Sequence, residues 1–564
     1  MSSSRSVATS TLTQSSTLCV DKKVKRRSRD HISSSVEKKF KSDSKHKSIS
    51  KSSFAADDHN DSENVSQDHD DGHIRLINEF RANRSLNIDI KFDPRRVRIL
   101  KLGRSRTAVV DDDTLNGNID GGVVYWMSRD SRVQDNWAMI YAQRLAIERQ
   151  VPLHVCFCLT SSFLNASLRQ FDFLLEGLKS VQRECHELNI GFNVLDGSGD
   201  LTLNDWVQTN NISAVVCDFN PLRVVRDWVT KVKSQLAPHV FFAQVDAHNI
   251  IPCWQASLKQ EVYASTFRPK VLSQLDRFLT EFPAVIVHPY GKNCTAADID
   301  WHYLLQSRDA NKSVSPVKWA VPGYDHAVKS LYIFIQDNLS KYASLRNNPT
   351  TTVISNLSPW FHFGQISVQR VVLKILSLKS VYPDSVDRYI DEVVVRRELA
   401  DNFCFYNDRY DCVEGAPQWA QETIDQHKYD HRSYIYNLTE LASCQTHDEL
   451  WNSAQAQLRC EGKMHGYMRM YWAKKIMEWT PSAEMALGYA IFLNDHYSVD
   501  GRDPNGYVGC MWSICGVHDR PFKERKIFGR IRYMNYAGCK RKFNVDLYIA
   551  KYKIKNLQRE CVIV

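Results

Sequence analysis

Between residues 120 and 250, short apolar runs alternate with amphipathic stretches. Short apolar runs are typical of buried strands, and stretches with apolar positions every three or four residues are typical of helices. Strands are predicted at 123–127, 153–159, 192–195, 214–219 and 241–245, and helices at 135–150, 168–188, 203–208 and 224–236. Because strands that alternate with helices form parallel sheets covered on both faces, we predict a doubly wound α/β domain over residues 120–250.

The pattern changes after residue 250. A mixed segment at 251–322 is predicted to connect two domains. From residue 323 to residue 564 helical periodicity dominates, with helices predicted at 325–342, 365–376, 384–402, 417–427, 447–459, 464–478 and 483–495. The second domain is therefore predicted to be entirely α-helical.

The N-terminal segment differs from both domains in composition. The whole chain has a formal net charge of +9, and residues 1–54 alone hold 13 Lys and Arg against 4 Asp and Glu, which accounts for all of it. A Ser-rich basic segment with few apolar residues cannot bury enough surface to offset its ordering entropy. We therefore predict a disordered tail at 1–75, followed by a linker or extension at 76–119.

Two basic clusters in this tail, at 22–29 and 38–39, resemble nuclear import signals or nucleic-acid-binding arms. A charge run that only solvates the chain is the alternative, and the Arg- and Ser-rich start leaves mitochondrial targeting open. We expect a nuclear protein. No apolar run reaches the roughly 18 residues that a membrane span needs, so we expect no membrane association.

Common cofactor and metal motifs do not occur in the chain. No Gly-rich dinucleotide fingerprint follows the first predicted strand, and the sequence contains no Walker loop, His-Glu-x-x-His pair or Gly-x-Ser-x-Gly elbow. The 15 cysteines are scattered, without the paired spacing of a zinc site. We therefore expect reduced thiols and no bound metal.

Four features of the helical half each have a chemical and a structural interpretation. The turn at 354–359 offers hydroxyls for phosphate groups, although such turns are more often N-caps. Glu392 and Arg396 have the spacing of a surface ion pair. Trp472 and Trp479 lie two helical turns apart, as core residues do. Basic and aromatic residues alternate at 523–555, as on nucleic-acid surfaces, but the near-neutral body argues against strong nonspecific binding.

Six segments, in order along the chain, carry a more specific signal. They are VYWMSRD at 124–130, LSPWFHFGQ at 357–365, RELADNF at 397–403, KMHGYMRMYW at 463–472, DGRDPNGY at 500–507 and GVHDRPF at 516–522. This succession closely resembles the class II cyclobutane pyrimidine dimer photolyases of the DNA photolyase and cryptochrome superfamily. The resemblance extends over roughly residues 120–556 and leaves only the tail outside it.

The resemblance implies a fold and an activity. The α/β domain would be the antenna domain of a photolyase, and the helical domain would bind a folded FAD. The activity would be that of a carbon–carbon lyase, which splits pyrimidine dimers in double- or single-stranded DNA by light-driven electron donation from fully reduced FAD. A second, antenna chromophore would be a deazaflavin or a folate, or absent, and we expect a monomer.

The resemblance also implies site residues. The flavin contacts would be Tyr342, the phosphate-binding turn at Ser355, Leu357 and Ser358, the Arg469 and Asp500 pair beside the isoalloxazine, and Asn494 opposite its N5 atom. Electrons that reduce the flavin would pass along three indole rings, those of Trp472, Trp451 and Trp479.

For the lesion, the resemblance implies that Glu392 hydrogen-bonds the dimer carbonyls and stabilises the radical anion, while Trp512 stacks against the lesion. Arg346 and Asn347 would lie near the lesion and its phosphates. Arg396 stands where some microbial relatives carry Trp, so the aromatic wall of the dimer pocket is expected to be built differently here.

Two other functions remain open from the sequence. A flavin light receptor of the cryptochrome type would share the fold and the cofactor but would signal through a partner. A damaged-DNA binder without catalysis would hold its FAD as a structural element. Glu392, Trp512 and the basic C-terminal stretch favour repair over the light receptor.

Overall fold

The computed structural model describes residues 61–84, 92–103, 120–291 and 298–560, with side chains from residue 71 to residue 553 within these ranges. The basic clusters of the predicted tail lie outside the described residues. The described residues belong to one compact unit, so contacts between the two predicted domains are part of the structure.

Six strands form one sheet in the order β1-β6-β5-β2-β3-β4. The strands β2 to β6 are mutually parallel, and β1 is antiparallel to β6. All five predicted strands are present, and β1 is an addition at the edge, where Arg98, Lys101 and the exposure of the strand hid it from the sequence pattern. The strands are β1 Val97–Lys101, β2 Gly122–Met127, β3 Leu153–Leu159, β4 Gly191–Asp196, β5 Ile212–Asp218 and β6 Phe241–Val245.

Four helices follow strands of this sheet in sequence, as the alternating pattern predicts, and one further helix precedes it. The apolar residues of the four helices that follow strands pack on the sheet in two clusters, which agrees with helices on both faces. The helices are α1 Asp61–Asn83, α2 Trp137–Arg149, α3 Leu168–Glu187, α4 Gly199–Thr209 and α5 Arg223–Gln235.

Helix α1 corrects the predicted boundary of the disordered tail, because regular structure begins at Asp61 rather than after residue 75. Leu76, Ile77 and Phe80 are buried in the core of the helical domain. These three residues share one face of the helix, and their burial offsets the ordering entropy that a polar tail could not recover.

The predicted connector contains four short helices, α6 Cys253–Ala256, α7 Ala264–Leu272, α8 Leu275–Phe278 and α9 Trp301–Gln306. The helical domain follows, and two π-helical segments, Phe334–Asn338 and Asp391–Arg396, interrupt its predicted long helices. Its helices are α10 Tyr324–Ile333, α11 Leu339–Leu345, α12 Ser358–His362, α13 Val368–Leu376, α14 Pro383–Ile390, α15 Arg397–Tyr406, α16 Gln418–Gln426, α17 Leu438–Ala442, α18 Glu449–Glu461, α19 Gly466–Glu478, α20 Ala483–Tyr497, α21 Pro504–Cys515, α22 Tyr536–Lys540 and α23 Val545–Glu560.

Buried ion pairs join the two domains. The guanidinium of Arg129, just after β2, donates two hydrogen bonds of 2.7 and 2.9 Å to the carboxylate of Asp401 on α15. Both side chains are buried. Burial would raise the pKa of Asp401, but the charge of Arg129 and its hydrogen bonds hold this pKa below its usual value. The pair therefore fixes the sheet against the helical domain in its charged form.

Candidate active site

Helices α19 and α20 bring together two of the predicted flavin residues. Arg469 on α19 donates a hydrogen bond to the side-chain oxygen of Asn494 on α20. Asn494 is buried, and its amide group donates to Asp495 at 2.9 Å, which fixes the orientation of the amide. The side chain of Asn494 is thus held in place from both ends.

A third predicted residue, Asp500, lies in the loop between α20 and α21, close to the same cation. Burial would raise the pKa of Asp500, but the charges of Arg469 and Lys463 and hydrogen bonds from Ser498 and Ser358 hold it below the usual value. Asp500 therefore stays ionised in the pocket.

Lys463 is a pocket residue that the sequence analysis did not single out, although it opens one of the segments that carry the family resemblance. Its ammonium group donates a hydrogen bond of 3.2 Å to the hydroxyl of Ser358, at the start of α12. Burial lowers the pKa of Lys463 to about 8, against the opposing effect of Asp500. The pocket thus presents two cations and one carboxylate to a ligand.

The turn before α12 has the polar groups expected at a phosphate site. Ser355 and Ser358 are half-buried, whereas the side chain of Leu357 is buried in the core, so only its backbone is suited to contact a ligand. The ring of Tyr342 packs against Phe334 and Tyr389. Hydroxyls and cations suit the diphosphate of FAD, and the ionised Asp500 can accept a hydrogen bond from an isoalloxazine N–H, so the residues present fit this cofactor.

The predicted lesion residues Arg346 and Glu392 form an ion pair, with 2.7 Å between Nη1 and Oε1. Both side chains remain partly exposed, which leaves them accessible to a ligand. Tyr342, a predicted flavin contact, lies beside this pair, and burial and then the charge of Glu392 raise the pKa of Tyr342 to about 12. Glu392 lies in the π-helical segment Asp391–Arg396, and such segments are frequent at functional sites.

The other predicted lesion residues are placed differently. Asn347 is exposed just after α11. Arg396 is exposed and lies 3.8 Å from the carboxylate of Asp391. Trp512 on α21 is half-buried, with the cations of Lys474 and Arg532 at 5.0 and 5.6 Å from a ring centroid. Within the described part of the chain, no hydrogen bond or ring contact joins Arg396 or Trp512 to Glu392.

The three predicted electron carriers are buried and in contact. The rings of Trp451 and Trp472 lie nearly parallel, at an interplanar angle of 5° and a centroid distance of 6.4 Å. Trp479 contacts Trp451 at 5.8 Å. Trp451 thus stands between the other two rings, an order that their positions along the chain do not reveal.

The basic C-terminal stretch keeps its charge on the surface, whereas four of its aromatic rings are buried. Phe528, Phe543, Tyr548 and Tyr552 are buried in the core of the helical domain. The interpretation that these four rings stack on bases is therefore wrong, because the hydrophobic effect places them inside. Lys and Arg at 523, 525, 526, 540, 541, 542, 551 and 553 are exposed.

A cavity between the two domains was not anticipated from the sequence. It opens at the carboxyl ends of β2, β3 and β5, where Ser128, Thr160 and Asn220 line it. His362 and Asp503 line it from the helical side, with 3.0 Å between Nδ1 and the carboxylate. The buried hydroxyl of Ser131, another lining residue, has no hydrogen-bond partner in the protein. Carboxyl ends of parallel strands are the usual ligand site of such sheets.

The described residues contain neither a membrane-spanning helix nor a metal-binding cluster. No helix among them combines the length and the apolar character needed to cross a bilayer. The same part of the chain contains no cluster of three or more His, Cys, Asp or Glu arranged to hold a metal ion.

Comparison with known proteins decides the family. A deoxyribodipyrimidine photo-lyase of Potorous tridactylus is 54% identical over 445 residues, which cover 79% of this chain and 84% of the relative. The chain belongs to the DNA photolyase family. The family model described as DNA photolyase matches residues 123–288 of this photolyase. A deoxyribodipyrimidine photo-lyase of Arabidopsis thaliana is 44% identical over 474 residues, which cover 82% of this chain and 94% of that protein.

Solved structures agree with this photolyase in fold. A class III photolyase from Agrobacterium tumefaciens matches with a TM-score of 0.59 and 17% identity, over 78% of this chain and 88% of its own. A cryptochrome from Synechocystis sp. PCC6803 matches with a TM-score of 0.60 and 13% identity, over 76% and 88%. The predicted fold class, an α/β domain followed by a helical domain, is confirmed.

Proposed function

We propose that this photolyase repairs cyclobutane pyrimidine dimers in DNA, with light as the energy source and FAD as the cofactor. The observation that carries the proposal is the partly exposed Arg346–Glu392 pair, which lies beside Tyr342, a predicted flavin contact. Curated relatives that bear the name deoxyribodipyrimidine photo-lyase support the same reaction. The exposed cations of the C-terminal stretch suit contacts with DNA phosphates.

The pocket residues would hold FAD through complementary charge. Lys463 and the hydroxyl of Ser358 suit the diphosphate, while Arg469, Asn494 and Asp500 suit the polar edge of the isoalloxazine. Held by these residues in its reduced form, FAD would supply the light-driven electron that splits the two carbon–carbon bonds of the cyclobutane ring, and the electron would be returned at the end. The reaction therefore needs no net reductant.

The lesion residues would act on the dimer after it has left the duplex. A dimer stacks and pairs poorly, so extruding it from the duplex costs less free energy than extruding an intact base. Photolyases in general extrude the damaged bases in this way. Negative charge then develops on the pyrimidine carbonyls, and the guanidinium of Arg346 stabilises it as a hydrogen-bond donor. The carboxylate of Glu392, 2.7 Å from Arg346, would accept a hydrogen bond from a ring N–H on the same pyrimidine edge. Trp512 offers a ring for stacking.

The contacting rings of Trp472, Trp451 and Trp479 would keep the cofactor reduced. The outermost ring, that of Trp479, contacts His447 at 5.1 Å and Tyr436 at 5.6 Å. His447 in turn stacks on Tyr434, which is 48% exposed. An electron from solvent could thus reach the buried tryptophans along these aromatic contacts.

The cavity between the domains would hold the antenna chromophore. Its apolar rings and the unpartnered hydroxyl of Ser131 suit a flat, conjugated molecule with a few polar atoms, such as a deazaflavin or a folate. Soluble extracts of the native source should yield protein that absorbs beyond the flavin bands. Enlarging Ser131 to Phe should remove that second absorption and leave flavin-driven repair in place. Loss of the flavin instead would contradict the assignment.

We also infer that the basic clusters at 22–29 and 38–39 direct the protein to the nucleus, where its DNA substrate lies, and that it acts as a monomer. A fluorescent fusion tests the first inference. Replacement of both clusters by Ser and Gly should abolish nuclear accumulation, and an unchanged distribution would reject it. Sedimentation of the purified protein with and without DNA tests the second.

The activity itself is tested by illuminating the reduced protein with DNA that carries one defined thymine dimer. We expect light-dependent loss of the dimer, none in the dark and none after removal of FAD. Bound flavin without repair would favour a light receptor or a damage sensor. Protein without flavin affinity would contradict the cofactor as well.

Replacing Glu392 with Ala should lower the repair yield per absorbed photon by roughly tenfold, because it removes a charge-assisted hydrogen bond to the dimer. Flavin binding should not change. The yield is measured as dimers split under continuous light at saturating enzyme. Asp391→Asn is the matched control, since Asp391 is the neighbouring acid of the same π-helical segment but pairs with Arg268. Equal losses in both variants would refute a specific role for Glu392.

Replacing Lys463 with Met should weaken FAD binding by about tenfold, because a buried cation that suits the diphosphate is lost. In the unmodified protein, affinity should fall as the pH rises through about 8, where Lys463 loses its proton. The variant should lack this fall. Affinity is measured by flavin fluorescence quenching on apoprotein. Lys374→Met, which removes a lysine paired with Glu79 on α1, serves as control, and a variant profile parallel to that of the unmodified protein would contradict the assignment.

A further inference from the structure

Lys474 is a buried cation that the flavin pocket does not use. It lies on α19, between Trp472 and Trp479, and its side chain is fully buried. Its ammonium group donates a hydrogen bond of 2.7 Å to the backbone carbonyl of Ser513 on α21. The same ammonium lies 5.0 Å from a ring centroid of Trp512, the neighbouring residue.

Burial of this ammonium group costs free energy that its surroundings must offset. Burying an ammonium group away from water is unfavourable without a charged partner, and in the described part of the chain no carboxylate forms an ion pair with Lys474. The groups that act on its charge are Asp519 and Cys515, which favour the protonated form, and Arg532, which opposes it. The groups in contact with the ammonium are thus the carbonyl of Ser513 and the ring face of Trp512, which attracts a desolvated cation.

Trp512 is held by a second cation as well. Arg532 lies 5.6 Å from a ring centroid of Trp512 and is itself fixed by Asp519, with hydrogen bonds of 2.7 and 3.0 Å. Lys474 comes from the helix that also carries Arg469, so it connects the flavin pocket to α21 directly. The half-buried indole thus lies next to one interior cation and one nearer the surface.

We propose that Lys474 is a positioning residue for lesion recognition, whose buried ammonium group anchors α21 at Ser513 and holds the Trp512 ring in the orientation that stacks on the extruded dimer. This inference rests on the proposed repair function. Lys474 does not touch the dimer, so its whole effect is exerted through Trp512.

The position of this lysine makes the recognition sensitive to pH. Burial lowers the pKa of Lys474 to about 7, so the folded protein loses the cation as the pH rises through neutrality. Affinity for dimer-containing DNA should therefore be highest below pH 7 and decline above it. The same decline should be missing when Trp512 is absent, because the lysine then has no ring to hold.

A double-mutant cycle on the FAD-loaded full chain tests the proposal. Dissociation constants for DNA with one thymine dimer are measured in the dark for the unmodified protein, Lys474→Met, Trp512→Ala and the double variant. Lys474→Met should weaken binding about tenfold when Trp512 is present. It should change binding by less than about twofold in the Trp512→Ala background. Lys474→Arg should restore most of the affinity, and flavin absorption checks that each variant is folded.

A tenfold loss in both backgrounds, or no loss in either, would overturn the proposal. If Lys474→Met does not fold, the pH dependence of DNA affinity is compared between the unmodified protein and Trp512→Ala. Other titrating groups contribute equally to both profiles, so a difference between them reports on Lys474. Parallel profiles would overturn the proposal. Repair by the unmodified protein is measured separately. If that protein repairs dimers but the effects of the two substitutions on binding are additive, only the role of Lys474 is rejected and the proposed repair function stands.

Discussion

Replacing Trp451 with Phe should abolish photoreduction of the bound flavin while leaving flavin binding intact. Trp451 is the middle ring of the three, 6.4 Å from Trp472 and 5.8 Å from Trp479. A benzene ring is much harder to oxidise than an indole, so an electron from Trp479 would have no carrier between it and Trp472. The measurement is the rise of reduced flavin absorption under blue light with an external reductant.

Two comparisons make this result specific. Protein reduced chemically beforehand should repair dimers normally, because the ring chain only supplies electrons to the cofactor. Trp137→Phe is the matched control, since Trp137 is also buried and donates a hydrogen bond, to Gln369, but lies on α2 outside the chain of rings. Photoreduction at the normal rate in Trp451→Phe would show that electrons reach the flavin by another route.

Replacing Arg129 with Met should lower the free energy of unfolding by about 3 to 5 kcal/mol, because the carboxylate of Asp401 would stay buried without its partner. The fully buried pair joins the sheet to α15, so its loss affects both domains. Protonation of Asp401 offers partial relief, and the deficit should therefore shrink as the pH is lowered toward the range where a carboxyl group titrates. Urea unfolding followed by circular dichroism measures the change.

A second interdomain pair provides the control for this prediction. Arg223 on α5 pairs with Asp411 at 2.7 Å, but the two side chains are 43% and 30% exposed. Solvent screens such a pair, and Arg223→Met should cost no more than about 1 kcal/mol. If the two variants are equally destabilised, the burial of Arg129 is not what makes its pair important.

The sheet shows which elements of this fold a sequence pattern can predict. The five parallel strands agree with the sequence prediction within one or two residues, because each is a largely apolar run of the kind that a buried parallel strand requires. Strand β1 was missed, since an edge strand exposes much of its surface and carries charged residues. Helix α1 was missed because three buried residues, Leu76, Ile77 and Phe80, are too few to stand out against a polar segment.

The candidate site shows the opposite balance. Most of its residues are identified by the family resemblance rather than by any local sequence pattern. Arg346 and Glu392 lie 46 positions apart, and their pairing depends on how α11 meets the π-helical segment after α14. Lys463 and Lys474 carry no signal in the sequence that separates them from surface lysines. Lys463, in the loop before α19, contacts the start of α12, and Lys474 on α19 is buried against α21, and both placements follow only from tertiary packing.

The sequence by itself determined the order of strands and helices, the division into an α/β and a helical domain, and the family. These properties are encoded in local periodicity and in contiguous motifs. Only the tertiary structure decided that Trp451 stands between two other indoles, that a cavity opens between the domains, and that four aromatic rings of the basic C-terminal stretch are buried. Contacts between distant segments set these features, because burial and charge pairing depend on which surfaces meet rather than on residue spacing.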